Sequence, residues 1–376
     1  MSPPLFEPLA LRDLTLPNRI VVAPMCQYSA DDDGSANDWH LVHYGSLAVG
    51  GFGHMIFEAT AVEARGRITH ACLGLYSDAN ERALERVVRF RKTHGNTSIS
   101  LQLAHAGAKA SHRIKWDGGQ PLGADERPWA AIAPSAVVTA PDTPDPEALD
   151  RDGMRAVVES FVMTTRRADR LGLDMLELHG AHGYLLHEFL SPLTNLRDDE
   201  YGGSRENRMR FSLEVFAAVR AAWPADKPLG IRISASDHAD GGWTLADSTV
   251  LAHELKALGC DFIDVSSGGL TPAQKITLGP GYQVPLSSHI RNKVGIPTMA
   301  VGMIVTPELA NRVVAEGHAD MVELARGILL DPRWAWHAAE ALGASAAYPL
   351  QHARCRPDLW PEAFPERDFG ERVRNV

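Results

Sequence analysis

The chain has 376 residues, 45% of them hydrophobic, which is enough apolar sequence for a large buried core. Its 47 acidic residues outnumber 37 Lys and Arg, and the formal net charge of -10 disfavours a broad surface for nucleic acid or anionic membranes. No apolar run is long enough to span a bilayer, and residues 1–9 lack the basic and apolar regions of a secretory signal. We therefore expect a cytoplasmic protein that binds neither nucleic acid nor membrane.

Cysteine spacing excludes several other classes. Cys26, Cys72, Cys260 and Cys355 lie far apart, and no two of them form a Cys-x-x-Cys pair. This spacing argues against a disulfide scaffold, a zinc knuckle and an iron–sulfur cluster. We expect reduced thiols, and only the neighbours of Cys26 suggest a functional role.

Apolar, β-branched runs alternate with helical patterns along the whole chain. We predict strands over residues 19–24, 54–62, 97–103, 174–178, 228–233, 261–265, 297–301 and 320–324. We predict helices over residues 39–49, 79–93, 151–171, 205–223, 246–258, 284–294, 307–316 and 333–342. Strands that are apolar on both faces require a parallel sheet covered by helices, and eight such units close into a (β/α)8 TIM barrel. A doubly wound sheet would need a Gly-rich turn after the first strand, where residues 24–28 contain no glycine.

Three segments fall outside the eight units, and we expect all of them to belong to a single α/β domain over residues 1–376. Residues 1–18 have the rhythm of a small hairpin that would plug the bottom of the barrel. Residues 108–150, between the third strand and the third helix, predict an insertion over the barrel mouth. Residues 343–376 show little periodicity and predict an ordered C-terminal arm rather than another helix.

The carboxyl ends of the strands should carry the chemistry, because catalytic groups of such barrels lie at that face. The fourth strand leads into His179, His182 and Tyr184. Two imidazoles and a phenol at this spacing offer hydrogen-bond donors, an acid and potential metal ligands at one mouth. The same side chains would also suit a structural role in which they only satisfy buried backbone carbonyls.

Other strand ends carry residues that suit an organic cofactor. Arg232 lies within an apolar strand and must have a partner, because an unpaired buried charge is very costly. Backbone amides near Gly302 and a short helix beginning at Arg326 offer a phosphate site. With Gln102 and the amides near Ala59 at the edge of a ring, this is the pattern that a flavin requires.

Two alternatives stay open on these residues alone. The first is a metal-dependent hydrolase or lyase on the same barrel, with His179 and His182 as ligands. His-x-x-His after a strand is a weak metal signal, and the sequence shows no third ligand at a strand end, so we expect no metal. The second alternative is a non-catalytic protein that keeps the fold, which would have no need of Tyr184.

Three motifs in this order resemble the old yellow enzyme family of flavin-dependent ene-reductases. They are residues 23–29 (Ala-Pro-Met-Cys-Gln-Tyr-Ser), residues 179–185 (His-Gly-Ala-His-Gly-Tyr-Leu) and residues 198–208, which contain Tyr201-Gly202-Gly203-Ser204. The resemblance runs from about residue 16 to residue 334. Cys26 makes the chain similar to the thermophilic-like branch of this family, which includes the bacterial xenobiotic reductases.

The resemblance implies bound FMN, reduction by NADPH or NADH, and a small-molecule substrate that is an enone or a nitro compound. By similarity, the FMN contacts fall on Ala23, Pro24, Met25, Cys26, Ala59, Gln102, Arg232, Gly302, Ala325 and Arg326.

Roles for the substrate-facing residues also follow from the resemblance. His179 and His182 would hydrogen-bond the carbonyl or nitro oxygen, so that the β carbon accepts hydride from flavin N5. Tyr184 would then protonate the α carbon from the opposite face. Tyr28 and Cys26 would contact the substrate, and Cys26 would tune the flavin rather than act as a nucleophile.

The C-terminal arm is the last feature that the resemblance addresses. In the thermophilic-like branch, an arginine of this arm often reaches the active site of the neighbouring subunit. Arg354 is the nearest match in this sequence, and Trp360 is an alternative. We therefore expect a homodimer or homotetramer in which the arm lies near a neighbouring active site.

Overall fold

The computed structural model describes residues 2–137, 143–356 and 359. Eight parallel strands form a closed barrel, and they follow one another around it in chain order. The strands are β1 Ile20–Val22, β2 His54–Ala61, β3 Ser98–Ala104, β4 Met175–Gly180, β5 Leu229–Ser234, β6 Phe262–Ser266, β7 Thr298–Ala300 and β8 Met321–Leu324. The barrel closes where Val322 of β8 pairs with Ile20 of β1. The predicted (β/α)8 barrel is confirmed.

One long helix follows each strand, and its ends lie within one residue of the predicted bounds. The helices are α1 Asp38–Ala48, α2 Asp78–His94, α3 Arg151–Leu171, α4 Arg205–Ala222, α5 Leu245–Ala257, α6 Val284–Val294, α7 Pro307–Ala315 and α8 Trp334–Leu342. Side chains typical of N-caps begin several of them; Ser77 caps α2 and Asp150 caps α3 by accepting a backbone N–H. Among the described residues, no helix is long and apolar enough to cross a bilayer.

The hairpin before the barrel lies at the end where the strands begin. Its strands, Leu9–Leu11 and Leu14–Leu16, pair in antiparallel register. Leu11 and Leu16 pack with residues from the starts of several barrel strands, including Val21, Met175 and Phe262. The hairpin therefore closes the bottom of the barrel with apolar side chains, as the sequence predicted.

The barrel interior corrects one sequence prediction. The strands were expected to be apolar on both faces, yet four carboxylates lie fully buried in them: Glu58, Glu177, Asp264 and Glu323. Buried acids are tolerated when hydrogen bonds and a paired cation offset their desolvation. The residue pattern of one strand does not reveal such compensation, because the compensating groups lie on other strands of the barrel.

The segments outside the β/α units contain little regular structure. The insertion holds two short 3-10 turns, Gly107–Lys109 and Lys115–Asp117, and a short parallel pair formed by Ile132–Ala133 and Glu147–Ala148. The described part of the C-terminal arm contains one 3-10 helix, Leu350–Cys355. Two further short helices, Leu185–Leu190 and Arg326–Leu330, follow β4 and β8 directly.

Candidate active site

The segment after β4 brings three of the predicted site residues together. The rings of His179 and His182 have centroids 5.2 Å apart, and the rings of His179 and Tyr184 have centroids 4.8 Å apart. His182 adopts a φ of 57°, which is uncommon for a residue with a side chain, and its N–H donates to the Ser234 hydroxyl at 3.0 Å. This hydrogen bond from β5 helps to hold the turn in a strained conformation.

Gly183 allows the β4 segment to approach the segment after β6 closely. Its φ is 71°, and a Cβ at this position would lie 2.9 Å from the carbonyl oxygen of Gly269 and from the Cα of Leu270. Any other residue would clash with this backbone. The glycine thus fixes how closely the His179–Tyr184 segment packs against its neighbour.

Both histidines are neutral at physiological pH. Burial, followed by the charge of Arg232, holds the pKa of each imidazole well below its ordinary value. His179 Nδ1 accepts the N–H of Ala181 at 3.3 Å, so its proton lies on Nε2 and is available for donation. His182 Nε2 lies 2.7 Å from the Ser266 hydroxyl, which fixes the ring.

Tyr184 lines a cavity of about 380 Å³ at the barrel mouth. Burial, with smaller contributions from Cys26 and Tyr28, raises the pKa of its phenol well above the ordinary value. The phenol therefore keeps its proton at neutral pH. Tyr28 lines the same cavity, and so do Ala108 and Lys109, which begin the insertion. The first residues of the insertion thus form part of the cavity wall.

Cys26 and Tyr28 follow β1 and lie beside each other. Burial raises the pKa of the Cys26 thiol well above its ordinary value, and the neighbouring Cys72 and Glu58 raise it further. A thiol with a raised pKa is a poor nucleophile, because the thiolate is the reactive form. Glu58 also accepts the N–H of Gln27 at 2.9 Å and thereby holds the segment that carries both residues.

Arg232 is paired inside the barrel, as its position in an apolar strand required. Its Nη1 lies 3.0 Å from Asp264 Oδ2 and 2.9 Å from Glu323 Oε2. Burial raises the pKa values of both acids, although the guanidinium acts in the opposite direction. Gln102 donates from Nε2 to Glu177 Oε1 at 2.7 Å in the same interior. Sequence reasoning missed these three acids, although each lies on a strand near Arg232 or Gln102.

The predicted cofactor residues lie on strand ends that are close in space. The N–H of Ala23 donates to the carbonyl of Leu324 at 2.9 Å, which places the end of β1 beside Ala325. Ala59 on β2 is the register partner of Gln102 on β3. Pro24, Met25 and Cys26 continue directly from Ala23.

The residues present fit a flavin with a phosphate. Arg232 Nε is buried without a hydrogen-bond partner among the described residues, so the site lacks an acceptor that a flavin edge supplies. The short helix that begins at Arg326 has no side-chain cap from Ala325, which leaves its first N–H groups for a phosphate. Gly302 has a φ of 116°, and its carbonyl accepts the N–H of Gly281 at 2.8 Å.

Of the two predicted substrate residues in the C-terminal arm, the structure describes one, and it stands apart from this cluster. Arg354 lies in the 3-10 helix of the arm and is exposed. Trp360 lies outside the described residues. Within the described part of the chain, no group of three or more His, Cys, Asp or Glu is arranged to hold a metal ion, so the metal alternative lacks a third ligand there.

Sequence reasoning also missed Lys109, which is central to the mouth. Its Nζ donates to the carbonyl of His182 at 2.7 Å and also to the carbonyl of Gly269. Burial and the nearby Lys115 lower its pKa to about 8, although Glu188 acts in the opposite direction. The lysine thus ties the insertion to the segments after β4 and β6. No sequence motif marks it, because its partners are backbone carbonyls of distant strands.

A parallel barrel with a flavin-compatible mouth, two neutral histidines and a protonated tyrosine defines the class of flavin-dependent oxidoreductases. The chain belongs to the NADH:flavin oxidoreductase / NADH oxidase family, whose model matches residues 4–344. It is therefore an enzyme, an FMN-dependent NAD(P)H oxidoreductase, and the resemblance to the old yellow enzyme family is confirmed.

Named relatives support this assignment over most of the chain. The chain is similar to the NADPH dehydrogenase of Geobacillus thermodenitrificans, with 44% identity over 355 residues, which cover 94% of this chain and 99% of the relative. The NADPH dehydrogenase of Clostridium acetobutylicum is 39% identical over 351 residues, which cover 93% and 98%.

Two solved structures are also similar to this chain over most of its length. Morphinone reductase has a TM-score of 0.74 at 29% identity, with 93% of this chain and 92% of that protein covered. A 2-naphthoyl-CoA reductase has a TM-score of 0.81 at 22% identity, a likeness that shows the fold alone. The present chain spans 53% of that larger protein.

Proposed function

We propose that this protein reduces the activated carbon–carbon double bond of α,β-unsaturated carbonyl compounds, with nitro compounds as a second substrate class. The reductant is NADPH or NADH. The observation that carries the proposal is the cluster of His179, His182 and Tyr184. The ring centroid of His179 lies 5.2 Å from that of His182 and 4.8 Å from that of Tyr184. It combines neutral imidazole donors with a protonated phenol on one face of the barrel.

The histidines bind and polarise the substrate oxygen. His179 presents an N–H at Nε2, because its Nδ1 is occupied by the N–H of Ala181. A neutral imidazole N–H aimed at a carbonyl or nitro oxygen withdraws electron density from the conjugated alkene. His182, fixed by Ser266 and Ser234, is the second group that contacts this oxygen. Electron withdrawal makes the β carbon the position that accepts a hydride.

Tyr184 supplies the proton. Its raised pKa keeps the phenol protonated until the α carbon becomes basic, and its place on the cavity wall lets it reach a substrate held by the histidines. Lys109 Nζ lies 5.6 Å from the centre of the Tyr184 ring, where its charge favours the phenolate left after transfer. Bound FMN would supply the hydride chemistry that links the nicotinamide to the alkene.

We assign FMN binding to residues at or just beyond the ends of the barrel strands. Arg232, with its unpartnered Nε, would bind the polar edge of the ring, and Gln102 would bind the same edge from β3. Cys26 and Tyr28 would contact both ring and substrate, since they lie beside each other at the end of β1. The full proposed set is Ala23, Pro24, Met25, Cys26, Ala59, Gln102, Arg232, Gly302, Ala325 and Arg326.

We also propose a homodimer or homotetramer in which the C-terminal arm completes a neighbouring site. Arg354 is exposed on its own chain and, among the described residues, does not line the cavity. Leu330 and Leu350 are 89% and 90% exposed, which is unusual for leucine and suits a contact between subunits. Arg354→Ala should weaken substrate binding without changing the sedimentation coefficient. A monomer in sedimentation would contradict the arrangement.

The test of the proposed reaction separates its two halves. The holoenzyme is reduced anaerobically with NADPH or with NADH, and the reduced enzyme is then mixed with a panel of cyclic enones and nitroalkenes. We expect rapid bleaching of the flavin band by at least one nicotinamide and rapid return of the band with the activated alkenes. Reduced enzyme that no member of the panel reoxidises would contradict the substrate class. Purified protein that does not bind FMN would contradict the whole scheme.

A further inference from the structure

The lining of the mouth cavity has an unusual charge composition. Lys109, His112, Arg113 and Lys115 line it, and none of the described lining residues is acidic. The whole chain carries more acidic than basic residues, with a formal net charge of -10. Basic residues are therefore concentrated at the cavity that also holds Tyr28 and Tyr184, against the trend of the sequence.

Most of this positive charge is not neutralised by the protein. Arg113 forms a bidentate pair with Glu126, whose Oε2 lies 2.8 Å from Nη2. Lys115, in contrast, forms no ion pair with any residue that the structure describes. Among the described residues, Lys109 hydrogen-bonds to backbone carbonyls, which leave its charge intact. Glu188 is an acid that acts on the pKa of Lys109, but burial raises the pKa of Glu188 to about 8, so this carboxyl holds its proton at neutral pH.

Positive charges that lie close together at a partly buried site produce a positive electrostatic potential there. Lys115 lies close enough to lower the pKa of Lys109, and it also lowers the pKa of the Cys26 thiol against the larger opposing effects there. His112 donates from Nδ1 to the carbonyl of Ala110 at 2.8 Å, which holds this side chain in the wall of the cavity. A concave site with cations and low-dielectric walls focuses its potential on whatever enters.

We propose that Lys109 and Lys115, here called the cationic rim, bind a carboxylate or phosphate group on a ligand whose other end lies at His179 and His182. The inference rests on the proposed function, because it assumes a ligand in the mouth cavity. Two sources can supply the group: a carboxylate on the activated alkene, or a phosphate of the nicotinamide reductant. In both cases the rim adds affinity and orientation and leaves the chemical step to Tyr184.

Binding of matched phenols to the oxidised holoenzyme tests the rim directly. The probes are 4-hydroxybenzoate and 4-hydroxybenzamide, which differ in charge but little in shape, and the readout is the dissociation constant from the flavin absorbance band. Lys115→Gln should weaken the benzoate about two- to fivefold at low salt, as expected for an exposed charge pair, and leave the benzamide unchanged. Raising the salt concentration should remove the difference.

The control is Lys293→Gln, which removes the same charge from an exposed lysine on α6, outside the cavity. It should leave both dissociation constants unchanged. Equal responses of benzoate and benzamide to Lys115→Gln, or equal effects of Lys115→Gln and Lys293→Gln, would overturn the proposal.

Two kinetic arms identify the source of the anionic group. In the first, reduction of the holoenzyme by NADPH is compared with reduction by NADH. In the second, reoxidation by cyclohexenone is compared with reoxidation by a cyclohexenone that bears a carboxylate. A loss in Lys115→Gln that affects reduction by NADPH alone, or by both nicotinamides, assigns the rim to a phosphate of the reductant. A loss confined to the carboxylated enone assigns it to the alkene. Failure of the wild type to reduce plain cyclohexenone would contradict the proposed function, whereas the phenol titration would still test the rim.

Discussion

The two ends of the barrel are built from the same eight strands but from different kinds of residue. Where the strands begin, Leu11, Leu16 and Phe262 fill the interior with apolar side chains, each of them at most 4% exposed. Where the strands end, the interior holds charged and titratable groups. Tyr28 and His182 have positive φ angles there, 48° and 57°. The apolar end contributes stability, and the polar end carries strain and unpaired polar atoms.

The difference between the ends has a physical basis. Apolar side chains stabilise a fold whenever they fill the interior without voids. The apolar end of the barrel therefore needs only apolar residues of suitable size. A catalytic site needs particular atoms in particular protonation states, and these require burial, charge and backbone geometry that cost stability. Substitutions at the two ends should therefore fail in different ways.

The largest effect is expected at the polar end, for Tyr184→Phe. Loss of the phenolic proton should slow the reoxidation of the reduced flavin by an enone about 100- to 10,000-fold, because only that step needs an acid. Reduction of the flavin by NADPH should stay nearly unchanged. The two rates are measured separately by anaerobic stopped flow. Equal losses in both half-reactions would count against Tyr184 as the proton donor.

At the apolar end, Phe262→Ala should lower the free energy of unfolding by about 3 to 5 kcal/mol, because a buried ring leaves a cavity. Both half-reactions should keep their wild-type rates at a temperature where the variant is folded. Chemical denaturation and stopped flow provide the two measurements. Phe262→Leu is the matched variant and should lose less stability. A change in the rate of the alkene half-reaction would mean that the two ends are coupled.

A smaller effect is expected for His179→Ala, which removes one donor from the polarised oxygen. Binding of a phenolate to the oxidised flavoenzyme should weaken about tenfold to a hundredfold, the cost of a hydrogen bond to a charged group. The measurement is titration of the charge-transfer band. Stability should change less than in Phe262→Ala. An unchanged dissociation constant would remove His179 from the substrate site.

The last prediction concerns pH and stability, through Glu188 beside the mouth. Burial raises the pKa of Glu188 to about 8, well above that of a carboxyl in the unfolded chain. The native state thus holds a proton that the unfolded state has lost, so stability falls as pH rises from about 4.5 towards 8. Glu188→Gln should remove this loss. The stability difference between variant and wild type should grow by about 1.4 kcal/mol per pH unit and level off above pH 8.

His54 provides the opposite sign at the start of β2. Burial lowers the pKa of His54 to about 3, so the unfolded chain takes up a proton below about pH 6.5 that the native state refuses. Its contribution is lost on acidification, whereas that of Glu188 is lost towards alkaline pH. For this reason the Glu188 prediction concerns the difference in the free energy of unfolding between Glu188→Gln and the wild type. It does not concern the pH dependence of the wild type alone. A difference that does not vary between pH 5 and pH 8 would show that Glu188 is ionised in the native protein.

Much of the fold was predictable because its signals are local. The helix bounds were predicted from apolar spacing, and the structure adds N-cap residues such as Ser77 and Asp150, which also act within a few residues. The cluster of His179, His182 and Tyr184 was predictable for the same reason, since all three lie within six residues at the end of β4 and in the turn that follows it. The need of Arg232 for a partner was also clear, because a buried charge cannot stay unpaired.

The identity of that partner was not predictable. Asp264 and Glu323 reach Arg232 only because β6 and β8 close the barrel, and strand register brings atoms together that are more than 30 residues apart. Lys109 is a similar case. Its side chain donates hydrogen bonds to the backbone carbonyls of His182 and Gly269. Every residue type has such a carbonyl, so the sequence does not reveal these partners. The positive φ of His182 likewise depends on contacts with β5.

The sequence alone determined the alternation of strands and helices, the polar residues at the strand ends and the family resemblance, because each of these is written in residue type and spacing. Only the tertiary structure decided the protonation states and the donor atoms. Burial and the charge of Arg232 keep His179 and His182 neutral, and burial keeps Tyr184 protonated. These states arise from groups that surround a side chain in space, and the order of residues along the chain does not contain them.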